Sequence, residues 1–172
     1  MINLLRTAIC SFGSLHTGEL FVSQHDHSLG IRVTGEIEGV LRFDQMGSTT
    51  MVRWADAEAY RGVTCLRLAR RGGFSLETRM SCFLDRDRSF LPVHGSVVIG
   101  VEQAWICCSD IAEKGLFPSM TLVDINTWHR RDGSVGQGPL VVNEWSLVVE
   151  GKSALDFRAA QDQRGFRSSS LP

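Results

Sequence analysis

His25-Asp26-His27 is the first grouping in the chain that could hold a metal ion. If these residues lay on a strand, alternate positions would project to one side, and the imidazoles of His25 and His27 would face one ion together. Arginine is the second chemical theme. Sixteen of the eighteen basic residues are Arg, Lys114 and Lys152 being the exceptions. The planar guanidinium fork suits phosphate recognition. Seven arginines lie between Arg61 and Arg88, against three acids. Arg67, Arg70, Arg71, Arg79, Arg86 and Arg88 are the expected polyanion-binding set. In this reading Arg67 and Arg79 occupy the solvent face of a strand pair, with Arg70 and Arg71 at its tip. Binding through such a patch weakens steeply with added salt.

Motifs for covalent chemistry are sparse. There is no GxSxG elbow, and no cysteine sits in a recognisable catalytic context. The run Gly133-Ser134-Val135-Gly136-Gln137-Gly138 lacks the GK[ST] ending of a phosphate-binding loop. The His-x-His pair brings cupin barrels to mind, but that family follows it within a few residues by a Glu. Here those positions hold Gly30, Ile31 and Arg32. A metal-dependent barrel using His25 and His27 is therefore the alternative reading, and a polar turn at 25–28 the expected one. No cofactor is expected.

The totals describe an ordinary globular chain. At 172 residues, 43% hydrophobic and 22% charged, it can bury one sizeable core. A net charge of −1 excludes a molecule-wide basic field, so any polyanion site must be local. Five cysteines, an odd number without a CxxC pair, argue against a disulfide framework and for a reducing intracellular compartment. Cys107 and Cys108 are adjacent, so on a strand they would point to opposite faces. No window resembles a signal peptide or a membrane span, and a soluble protein is expected.

The elements that would position these residues are strands. Residues 1–17 read as a short helix or an edge strand, followed by a strand at Gly18–Gln24. From Leu29 to Phe43 apolar residues keep one parity: Leu29, Ile31, Val33, Ile37, Leu41 and Phe43. Either a three-residue loop at Gly35–Ile37 pairs Leu29 with Phe43, or one long strand bends at Gly35 and Gly39. Further strands are expected at Thr50–Trp54, Gly62–Arg70, Phe74–Leu84 and Leu140–Glu150, with a helical turn in Trp54–Tyr60. Val93–Cys108 is apolar at nearly every position, the pattern of a central strand covered on both faces, and Met120–Ile125 is its successor. Arg130–Pro139 reads as a Gly-rich loop. About nine or ten short strands separated by turn signals predict an all-β, antiparallel sandwich with little helix. Residues 18–158 form that single domain, and 159–172 a flexible polar tail.

One family pattern runs through the middle. Val93-His94-Gly95-Ser96-Val97-Val98-Ile99-Gly100, a variable connection, and Ser119-Met120-Thr121-Leu122-Val123-Asp124 resemble the core motif of the thirty-kilodalton superfamily of plant-virus movement proteins. Many members carry a basic residue two positions after the Asp, where this chain has Asn126. The resemblance implies a jelly-roll-like sandwich related to capsid folds. It also implies a non-enzymatic protein that binds single-stranded RNA or DNA and self-associates, with Asp124 in a structural or assembly role. A protein-interaction module with no nucleic-acid role is the third reading.

Overall fold

The structure, a computed structural model, describes residues 9–46, 49–83, 94–108, 120–133, 140–150 and 155–158. The expected strands Gly18–Gln24 and Leu29–Phe43 appear as β2 (Leu20–Ser23), β3 (Leu29–Gly35) and β4 (Gly39–Met46). Leu29 faces Phe43 and Ile31 faces Leu41 across the β3–β4 ladder, so the loop alternative holds and the single bent strand does not. That register keeps Ile31, Val33, Leu41 and Phe43 buried on one face. Of the ambiguous N-terminal segment, β1 (Ile9–Ser11) is a strand followed by a 3-10 turn at Phe12–Ser14, and residues 1–8 lie outside the described residues. β5 (Thr49–Asp56) runs into a second 3-10 turn, Ala57–Tyr60, and β6 (Thr64–Ala69) follows.

The second half holds β7 (Phe74–Phe83), β8 (Val97–Ile99), β9 (Ala104–Cys107), β10 (Met120–Asp124), β11 (His129–Gly133), β12 (Leu140–Val149) and β13 (Leu155–Arg158). Within Val93–Cys108, expected as one strand, the described residues form a hairpin of β8 and β9. The Gly100 N–H donates to the Gln103 carbonyl, and Val101 at the tip is fully exposed. A continuous apolar run hides a turn when the turn itself carries an apolar residue. The two-faced burial is nonetheless present: Val97 and Ile106 face the main core, whereas Val98, Trp105 and Cys107 join Leu122 and Val141 in a cluster of their own. Cys107 and Cys108 fall in these different clusters, as adjacent strand residues must. Residues 130–133, expected in a loop, lie in β11, and 134–139 are outside the described residues.

The chain is all-β. The thirteen strands among the described residues form one mixed sheet in the order β1-β6-β2-β3-β11-β10-β9-β8-β12-β13, with β4 and β5 added beyond β3 and β7 beyond β12. Every described ladder is antiparallel except β3–β11, where His129 pairs with Thr34 and Arg130 with Gly35. One core draws on both halves of the sheet. Leu20, Ile31, Leu41 and Phe43 pack with Ile106, Val123, Trp145, Leu147 and Phe157. At its centre Trp145 stacks on Phe157 at 4.4 Å, and Phe43 meets both rings. Among the described residues no helix is long and apolar enough to cross a membrane.

Candidate functional site: a cleft at the β6–β7 crossover

The arginine set does not lie on one strand pair. β6 pairs with β1 and β2, whereas β7 pairs with β12. The link Arg70–Gly73 is therefore a crossover between the two halves of the sheet, and the expected hairpin is absent among the described residues. Period-2 alternation marks both strands but carries no information about their partners. Arg67 binds Glu19 at 3.0 Å, and Glu19, only 3% exposed, also accepts the His16 N–H at 2.8 Å. A buried carboxylate needs such partners, so the Arg67 fork is engaged in holding the N-terminal segment. Arg79 sits where the β7–β12 register slips, since Thr78 pairs with Trp145 but Met80 with Glu144. Arg86 and Arg88 lie outside the described residues.

Arg70 and Arg71 are different. Both are exposed, and no carboxylate among the described residues is paired with either. The turn that presents them closes through the Gly73 N–H on the Arg70 carbonyl at 2.8 Å, and it needs φ of +83° at Gly72. Glycine adopts that left-handed conformation without strain.

Across from this turn stands the loop that follows β10. Asp124 Oδ1 accepts the N–H groups of Asn126 at 2.7 Å and Thr127 at 2.9 Å, and the Trp128 N–H reaches the Asp124 carbonyl at 2.8 Å. Asp124 thus folds the next turn through its side chain. The turn ends with Trp128 in the left-handed region, its carbonyl accepting the Thr34 N–H and its ring buried. Phe74, the first residue of β7, packs on that ring at 5.4 Å. Between the two loops lies a cleft of about 320 Å³, lined among others by Arg71, Phe74, Ser75, Leu76, Asn126 and Trp128.

Two residues singled out separately in the sequence, Arg71 and Asp124, therefore serve one place. Arg71 lines the cleft, and Asp124 shapes the loop that forms its far wall. The aromatic wall escaped sequence reasoning, because Phe74 looks like any inward strand residue. The signal available was the Asp124-to-Trp128 spacing, a polar turn ending in a large ring.

His25 and His27 sit on an exposed turn, not at alternating strand positions, and His27 has φ of +56°. Asp26 between them points to its own turn. It accepts the Ser28 hydroxyl at 2.7 Å and the Ser28 N–H at 3.1 Å, and pairs with Arg42 at 3.3 Å. Among the described residues no three His, Cys, Asp or Glu side chains are grouped to hold an ion. Burial alone would raise the Asp26 pKa. The Ser28 and Ser23 hydrogen bonds and the Arg42 charge outweigh it and bring the pKa down to about 2. A depressed carboxylate stabilises the fold above its unfolded pKa and ceases to do so as pH falls through its folded value. Asp26→Asn should accordingly lower the urea midpoint at neutral pH, with the gap to wild type closing between about pH 4 and pH 2. The effect is modest, since the Asp26 side chain is 35% exposed and water screens its pair. A gap independent of pH would show that Asp26 gains nothing from its charge.

No protein-family model, curated protein or solved structure matches the chain.

Proposed function

We propose that the protein is a non-enzymatic binding module that takes up single-stranded nucleic acid at the Arg71 cleft. The observation that carries this reading is an exposed guanidinium, paired with no described carboxylate, beside a partly exposed aromatic ring. Phosphate is met by Arg71, with Arg70 next to it, and a base is stacked by Phe74 over the buried Trp128 support. Base stacking on an aromatic ring contributes about 1–3 kcal/mol and tolerates any sequence. The Asn126 amide and Ser75 hydroxyl are the polar groups available to a base edge. A cleft of about 320 Å³ is at the small end for a bound ligand and suits one nucleotide unit of a longer strand.

This reading agrees with what the resemblance to the thirty-kilodalton movement proteins implies, a capsid-related binding protein that assembles on single strands. A jelly-roll-like sandwich belongs to the same proposal, supported by the core shared between both halves of the sheet. Asp124 then has a local structural role, shaping the cleft wall.

Fluorescence anisotropy with a labelled single-stranded RNA, titrated at rising salt, tests the reading. Wild type should bind at low salt and lose affinity steeply as salt is added. Arg70→Ala with Arg71→Ala should weaken binding roughly tenfold or more and reduce the salt slope by about one per lost phosphate contact. Binding that is absent at low salt, or unchanged in the double variant, would overturn the assignment.

A further inference from the structure

The β1–β6 ladder sets Cys10 directly opposite Cys65, two cysteines separated by more than fifty residues of sequence. Directly opposed residues of an antiparallel pair project to the same face, with Cα atoms about 4.5–5.5 Å apart, inside the window of about 4.4–6.8 Å that a disulfide spans. The neighbouring hydrogen bonds define the pair further. Phe12 donates to the Val63 carbonyl, while the Thr64 carbonyl turns the other way to Gln24 on the β2 side. Alternation then aims the backbone of Cys65 at β1, so Cys10 and Cys65 belong to the wider-spaced, hydrogen-bonded class, near the usual Cα separation of a disulfide. The bond needs the two Cβ atoms to approach by about 1–2 Å. β1 can supply that movement, because it is three residues long and pairs only with β6 among the described residues.

Both thiols border a third hydrophobic cluster, where Cys65 is buried with Phe12, Phe21 and Tyr60 and Cys10 packs against them half-exposed. We propose that Cys10 and Cys65 are a redox-modification site that forms a reversible cross-strand disulfide, fastening the edge strand β1 to β6. The oxidant is a low-molecular-weight disulfide such as oxidised glutathione. The Cys10 thiolate attacks one of its sulfurs, giving a mixed disulfide and releasing one reduced glutathione. The Cys65 thiolate then attacks the Cys10 sulfur, forming the protein disulfide and releasing the second. Two protein thiols are oxidised, one glutathione disulfide is reduced, and the two protons lost by the protein are taken up by the leaving thiolates.

Exposure assigns the order. Cys10 is reached from solvent, whereas burial, with the nearby Cys10 and Asp26 adding to it, pushes the Cys65 thiol up to about 11. Cys65 is a poor first nucleophile and acts once Cys10 carries the mixed disulfide beside it.

Incubating the full chain in glutathione buffers of rising oxidised fraction, then alkylating and mapping peptides by mass, tests this. Two of the five thiols should be lost together, in a peptide linking Cys10 to Cys65. The melting temperature should rise by roughly 5–15 °C, because the bond closes a long loop of the unfolded chain. Cys10→Ser should abolish both the linked peptide and the rise. It is the informative variant, since Cys65→Ser alters a buried position. Five thiols still alkylatable, glutathione retained on Cys10 with Cys65 free, or a link that omits either residue would overturn the proposal.

Discussion

Trp145→Ala should cost about 3–5 kcal/mol and leave the protein largely unfolded or close to it. The side chain is 1% exposed and stacks on Phe157 at 4.4 Å, with Phe43 edge-on at 6.1 Å. Removing the indole opens a cavity in the core shared by both halves of the sheet, where the strands cannot close in without breaking their ladders. A polar loss is added to the apolar one, since Trp145 Nε1–H donates to the Gly95 carbonyl at 2.9 Å. That carbonyl is buried with the indole and would lack its partner, worth about 1–3 kcal/mol. Trp145→Phe separates the two effects, because it keeps a ring against Phe157 and loses the donor. Urea melts of the three proteins should rank wild type, Phe, Ala, in falling midpoint. If Phe matched wild type, the Gly95 contact would be of no consequence.

Gly18→Ala is expected to lower stability by about 2–5 kcal/mol although it adds one methyl group. Gly18 has φ of +79°, a conformation that disfavours any side chain. A Cβ there would lie 2.5 Å from Trp128 Cδ1 and 3.2 Å from Arg71 Cγ. The indole must move, and because it lines the cleft its displacement changes the cleft wall. Affinity for single-stranded RNA should fall as well, in molecules that are still folded. Gly13→Ala is the matched control, because nothing lies within 4 Å of its added carbon. It should stay within about 0.5 kcal/mol of wild type. An unchanged melt for Gly18→Ala would mean that Trp128 does not rest against Gly18.

The candidate site was half visible in the residues alone. Arg70 and Arg71 stood out by charge at a Gly-Gly turn, and Asp124 by its place at a strand end. Their neighbours Phe74 and Trp128 could not be assigned to the site, because an aromatic at a strand boundary has the same appearance whether it lines a core or a cleft. Arg67 was indistinguishable from Arg71 in sequence. Its engagement follows from Glu19, forty-eight residues away, whose burial depends on β2 lying beside β6.

What the amino-acid sequence by itself determined is local. Alternation from Leu29 to Phe43 was enough to choose strands and one buried face, whereas the choice of a loop at Gly35–Ile37 over a bent strand came from the β3–β4 register. Adjacency alone placed Cys107 and Cys108 on opposite faces. These follow from the pleat, which repeats every two residues and needs no knowledge of distant partners. Only the tertiary structure decided which strands meet. It split Val97–Cys107 into two strands, parted β6 from β7, joined β3 to β11 in parallel, and brought Cys10 opposite Cys65. Strand pairing is chosen by the burial of whole faces against one another, a property of the assembled sheet that no single segment carries.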